Sequence, residues 1–120
     1  MPCKDRYEEI KHLIAQAAAE VPGIGAIDET IKWGQPSFAP AKQGIGSSVR
    51  IETRPDGEFG LMFICTTGLV DEFRSIYGDT LHFEANRAIV LKDGPLAEQD
   101  ALKHCIQLAL THKLRRKTRS

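Results

Sequence analysis

The sequence has little of what usually marks a specialised class of protein. It contains only three cysteines, Cys3, Cys65 and Cys105, far apart and with no C-x-x-C pair. That excludes a disulfide framework or a zinc knuckle and predicts free thiols. Neither sign of charge is in excess: sixteen basic residues face sixteen acidic ones, so there is no whole-molecule attraction to nucleic acid or to anionic lipid. No apolar run approaches the ~20 residues that span a bilayer. The opening Met1-Pro2-Cys3-Lys4-Asp5-Arg6 alternates charge where a signal peptide would turn apolar. The expected setting is therefore the cytoplasm, with partners recognised locally. Aromatic residues are sparse at 7%, with one tryptophan. HExxH, a Walker loop and a G-x-S-x-G elbow are all absent from the sequence.

What is present is a chain of 120 residues, 42% hydrophobic and 27% charged, long enough to bury roughly two thirds of its unfolded surface as one domain over residues 1–120. From Lys4 to Val21, residues Tyr7, Ile10, Leu13, Ile14, Ala17, Ala18 and Val21 recur at helical spacing. Pro22-Gly23 ends that helix. Glu29, Ile31 and Trp33 alternate with Thr30 and Lys32 as a short strand. An irregular stretch from Gly34 to Ser48 follows. In it, Pro36 to Pro40 reads as an extended segment at a sheet edge, because prolines cannot donate to a ladder, and Gly44-Ile45-Gly46 reads as a turn.

Val49, Ile51 and Thr53 pair with the run Phe59 to Cys65 across Pro55-Asp56-Gly57 as a β-hairpin. The second strand is apolar throughout and predicts a central position with both sides covered. Thr66-Thr67 cap a short helix with Leu69, Val70, Phe73, Ile76 and Tyr77 on its apolar face, ended by Gly78. Leu81, Phe83 and Ala85, then Ala88 to Leu91, form a second hairpin turning at Asn86-Arg87, and Asp93-Gly94-Pro95 breaks the chain again. A last helix runs from about Ala97 to about Leu114, its stripe built on Leu102, Cys105, Ile106 and Ala109.

This order predicts an α+β fold. An antiparallel sheet of four to six strands carries the two terminal helices on one face, with a short helix inserted between strands. A doubly wound parallel sheet would need a crossover helix after nearly every strand, and those are absent.

At Glu29-Thr30-Ile31-Lys32-Trp33-Gly34-Gln35-Pro36-Ser37-Phe38 the sequence resembles the YdhG-like family, small bacterial domains marked by a strand ending in an aromatic residue and then Gly-x-Pro-x-Phe. The likeness continues more loosely through the strand ending at Cys65, Gly68-Leu69-Val70, Asn86-Arg87-Ala88-Ile89-Val90 and the last helix. The resemblance implies a fold similar to frataxin. It implies little about activity: one member is described as an iron chaperone and most have no assigned role.

Three classes of function are weighed. The first is a non-catalytic binding module for a small molecule or a protein, with its contact surface at Trp33, Gly34, Pro36 and Phe38, where a tryptophan at a strand end meets an irregular loop. The second follows from the resemblance, a frataxin-like iron chaperone. Iron prefers oxygen ligands, and Asp5, Glu8 and Glu9 with Asp28 or Glu29 would supply them, although Lys4, Arg6 and Lys11 are interspersed. The third is a thiol enzyme using Cys65 at a helix start with His82 as base; the alternation of Phe59, Leu61 and Phe63 instead points Cys65 into the apolar layer. Cys105 and His112, seven residues apart, sit roughly 10 Å apart along a helix, too far for one metal. The run from Lys113 to Ser120 has five basic residues and leaves the first 112 at net charge minus five. It reads as a frayed, solvated tail. With no aromatics interleaved for base stacking, it argues against nucleic acid as the partner.

Overall fold

A computed structural model describes residues 2–32, 34–54, 58–64, 67–91 and 98–119, with side chains described within 7–116. The turns expected at Pro55-Asp56-Gly57 and Asp93-Gly94-Pro95, and the cap expected at Thr66, lie outside the described residues. In chain order the elements are α1 (Pro2–Ala19), β1 (Ile27–Lys32), β2 (Gln35–Pro40), β3 (Val49–Thr53), β4 (Phe59–Met62), α2 (Leu69–Tyr77), a 3₁₀ turn (Gly78–Thr80), β5 (His82–Glu84), β6 (Ala88–Leu91), α3 (Gln99–Leu110) and α4 (His112–Arg119). The six strands form one antiparallel sheet in the order β1-β2-β3-β4-β6-β5. The α+β architecture is as the sequence pattern predicts.

Period-two alternation divides the sheet into two faces. Phe38, Val49, Ile51, Phe59, Leu61, Ile89 and Leu91 join Ile10, Leu13, Ile14 and Ala17 of α1 and Leu102, Cys105, Ile106 and Ala109 of α3 in one apolar core. Both long helices therefore cover the same face. They are tied to each other where Gln107 Nε2 donates to the Ala17 carbonyl at 3.2 Å and Lys103 Nζ lies 2.6 Å from Glu20. Helix α1 leaves α-helical geometry two residues before the expected stop. Glu20 N still donates to Gln16 O, and Val21 N then makes the tighter bond to Ala18 O.

Three expectations need correction. The proline-bearing segment β2 is not a sheet edge; it lies between β1 and β3. It pairs with β3 only at Ser37 and Phe38, whereas it pairs with β1 along its whole length. Ala41 N donates to Ala26 O on the β1 side, so alternation turns the nitrogens of Pro36 and Pro40 toward the sparsely paired β3 side, where no ladder bond is lost. The central place expected of β4 holds: it lies between β3 and β6, and all four of its residues are buried. Gly60 leaves room for the Arg54 guanidinium, which a Cβ at Gly60 would meet at 3.2 Å. Arg54 bonds Glu52 at 2.5 Å and Glu84 at 2.6 and 2.9 Å. Secondly, Ile76 is 49% exposed and lies outside the core, which α2 enters through Leu69, Val70 and Phe73.

The third concerns the C-terminus. The last helix breaks at Thr111, and the basic segment forms α4 rather than a frayed tail. Thr111 Oγ1 donates to the Gln107 carbonyl at 2.8 Å, a back-bond that bends helices. The loop over residues 41–48 enters the break: Ser47 N donates to Ala109 O at 2.8 Å, and Leu114 N to Ile45 O at 3.0 Å. Arg115 fastens α4 to α2 through Glu72 at 2.8 and 3.1 Å.

Candidate functional site

The core consumes part of the surface expected for binding. Phe38 lies on the helix-covered face and is buried in the apolar core. Pro36, two residues away on the same side of the strand, is half-buried, and Gly34 is exposed with φ +73° in the turn between Lys32 and Gln35. Trp33 lies outside the described residues. The motif thus builds a hairpin, and the residues flanking its turn point to the opposite face.

On that outer face lies a cavity of about 390 Å³ lined by Lys32, Ser48, Arg50, Met62, Phe63, Ile64 and Arg87. Its construction follows from register. Arg50 alternates with core residues Val49 and Ile51 and so faces outward, opposite Met62 of β4, which in turn faces Ala88 of β6. Lys32 closes β1 opposite Gln35. Arg87 belongs to the β5–β6 turn, which is drawn over the end of β4 because Phe63 N donates to the Arg87 carbonyl at 2.7 Å. Met62 and Ile64 supply an apolar wall, and Ile64 is one of the exposed large hydrophobic side chains.

Three cations line this space and no acid does. Among the described residues, the side chains of Lys32, Arg50 and Arg87 take part in no ion pair or hydrogen bond. Glu84 feels the charge of Arg87 but is already bound by Arg54. Glu84 is held by Arg54, whose hydrogen bond keeps the Glu84 carboxyl below its usual range, while Glu84 and then Glu52 push the Arg54 guanidinium upward. Converging guanidinium groups beside an apolar wall suit an oxyanion attached to a hydrocarbon body.

Two other clefts each contain a paired cation. One of about 220 Å³, between the start of α2 and α4, is lined by Thr67, Gly68, Glu72, His112, Arg115 and Arg116, and Glu72 balances Arg115 within it. Another is lined by Arg74, Gly78, Asp79, Leu81, His82 and Phe83. There Arg74 lies over the Phe83 ring and bonds Asp71 and the Ala85 carbonyl.

The carboxylates considered for iron are dispersed. Glu29 faces α1, where Lys11 lies 3.1 Å away and the Tyr7 hydroxyl donates at 3.4 Å. Asp28, its neighbour in the strand, points to the other face. Glu8 and Glu9 are exposed, and the Asp5 side chain is outside the described residues. Among the described residues, no three His, Cys, Asp or Glu side chains come together. Cys65 also lies outside the described residues, while His82 is exposed on the edge strand β5. Cys105 is fully buried, and burial pushes its thiol up to about 12, in keeping with a core role. Among the described residues no helix is long and apolar enough to cross a membrane.

Sequence reasoning missed Lys32, Arg50 and Arg87 because they are far apart in the chain and belong to three different strands or turns. The outward direction of Arg50 was legible from alternation; its company depends on strand order. Comparison with family models, with curated proteins and with solved structures finds no match to this chain.

Proposed function

We propose that this domain acts by binding rather than by catalysis, and that it takes a small organic anion in the outer-face cavity, with Arg50 and Arg87 gripping the oxyanion and Lys32 adding charge at the rim. The observation that carries this reading is the set of three cationic side chains around one cavity that no acidic residue lines. Like charges brought together in this way repel one another, and an anionic ligand removes that cost. The volume falls within the range of small-ligand pockets, and the Met62–Ile64 wall gives a ligand's hydrocarbon portion a place to leave water. The resemblance to the YdhG-like family belongs to the same proposal, supported by the Gly34 to Phe38 motif and the antiparallel α+β architecture.

Calorimetric titration with n-propyl phosphate, which joins an oxyanion to a short apolar chain, tests the reading. Binding is expected at low salt and weakens as salt is added. Arg50→Ala and Arg87→Ala are each expected to weaken it by about tenfold or more, the worth of a charge-assisted hydrogen bond. Unchanged affinity in the double variant would exclude the cavity as the site.

A further inference from the structure

The two edges of the sheet differ. At one, β5 is only three residues long, and Arg74 lies over its Phe83 ring and bonds the Ala85 carbonyl at its end. At the other, β1 runs for six residues, of which all but Ile27 are exposed. Natural sheets blunt a long edge by covering, bulging or charge, because its unpaired N–H and C=O groups are a template for another strand. The Ala26 carbonyl accepts from Ala41 N on the β2 side, so by alternation the backbone groups of Ile27, Glu29 and Ile31 face the open edge. Among the described residues, no hydrogen bond outside the β1–β2 ladder reaches the backbone of residues 27–32. Ile31 is 68% exposed, a large apolar side chain beside that open ladder.

We propose that β1 is the surface through which a second copy of this chain binds, the two β1 strands pairing antiparallel across a two-fold axis at Thr30. Charge complementarity selects this occupant and its register. In such a pairing the residues that face the open edge oppose one another, so odd numbers meet odd numbers and even meet even. Two registers keep all but one residue of β1 paired. One sets Glu29 opposite Glu29 of the partner subunit, a like-charge contact that destabilises a sheet. The other sets Thr30 opposite Thr30 of the partner subunit, and Asp28 opposite the partner's Lys32 on each side of the axis. Asp28 and Lys32 are exposed on one face of the strand and, among the described residues, neither is in an ion pair. Their pairs fall at the non-hydrogen-bonded positions, where side chains come closest, while Glu29 and Ile31 exchange the backbone bonds. Glu29, bound to Lys11 of α1, then faces the partner's Ile31 and no like charge. Ile31 lies diagonal to Ile27 of the partner subunit and to Ile31 of the partner subunit, within reach of long side chains. Each copy uses up the other's long edge, so assembly closes at two and does not grow into a fibre. Arg50 and Arg87 lie on β3 and in the β5–β6 turn and take no part, so the pairing does not depend on the anion reading.

Sedimentation of the full chain between about 10 μM and about 1 mM, the range in which a small interface associates, tests this. The weight-average mass is expected to climb from 13.3 kDa toward twice that value, and to climb less as salt is added. Asp28→Lys and Lys32→Asp, made separately and checked for native melting, each put like charges across the axis. Each is expected to raise the dissociation constant about tenfold or more. The double variant restores opposite charges in exchanged order and is expected to recover native association. A native chain that stays at 13.3 kDa throughout would overturn the proposal, as would growth past the dimer. Association that neither single change weakens, or that a natively melting double variant fails to recover, would overturn the β1 register and the interface with it. None of these outcomes bears on anion binding by Arg50 and Arg87.

Discussion

Gly46 and the carbonyl of Leu110 approach so closely that a Cβ on residue 46 would lie 1.9 Å from the Leu110 oxygen and 2.1 Å from its carbon. The obstacle is helix backbone and not the tip of a flexible side chain. This contact lets the 41–48 loop reach the break between α3 and α4, where Ser47 N takes the Ala109 carbonyl and Ile45 O takes the Leu114 amide. Gly46→Ala is therefore expected to destabilise the fold by about 3 kcal/mol, the upper range of overpacking costs, which for a chain of this size lowers Tm by roughly 10 °C. Thermal unfolding followed by circular dichroism checks it; a melt within 2 °C of the native one, by the same conversion about half a kcal/mol, would mean that the loop moves aside freely.

Arg115 joins α4 to α2 with two hydrogen bonds to Glu72 and a third to the Leu108 carbonyl at 2.7 Å. Both side chains are more than half buried, so the pair is screened less than a surface ion pair. Arg115→Ala is expected to cost about 1–2 kcal/mol. Truncation after His112 should cost more, since it also removes Leu114, which packs near Gly23. Urea denaturation measures both; a truncated chain as stable as the native one would restore the picture of a solvated tail.

Acid should weaken the fold in two separable steps. Burial, followed by the charges of Arg115 and Arg116, holds the His112 imidazole below its usual range. The unfolded chain therefore binds its proton first as pH drops below about 6.5, and stability falls between there and the lower folded value. Glu84 behaves in the usual carboxylate way. Its folded pKa is depressed by Arg54, so its contribution is present above the unfolded value near 4.3 and is lost as pH drops through the folded one. His112→Gln should flatten the first slope and Glu84→Gln the second in urea midpoints measured from pH 7.5 to 3. Parallel profiles for the native protein and both variants would contradict this.

Cys105 should be inert in the folded protein. Its thiol is fully buried and pushed up to about 12 by desolvation, so almost no thiolate exists at pH 8. Iodoacetamide treatment followed by peptide mapping is expected to leave the Cys105 peptide unmodified until urea is added. Alkylation of Cys105 at native conditions would mean that α3 opens locally from the core.

The sequence alone determined the elements that rest on local chemistry. The 3.6-residue spacing of Ile10, Leu13, Ile14 and Ala17, and of Leu102, Cys105 and Ile106, marked two helices with one buried stripe each, because a helix must hide such a stripe. Alternation around Ile51 and the apolar run through Ile89 marked strands, and alternation even gave the outward direction of Arg50. Thr67 was expected as a cap; Gly68 holds that position, and Thr67 Oγ1 accepts the Leu69 amide at 3.2 Å from one residue before it.

Tertiary structure decided the rest, where groups distant in sequence compete for the same partner. The break at Thr111 depends on a loop more than sixty residues upstream that supplies its own backbone donors and acceptors to α3 and α4. The prolines of β2 are tolerated inside the sheet only because their nitrogens face the side where pairing with β3 is short. Lys32, Arg50 and Arg87 meet because β2 lies beside β3 and β6 beside β4. Periodicity fixes which face a side chain takes, since that depends on neighbours one and two residues away. Which other side chains share that face depends on strand order, and that is set by the burial of the whole core.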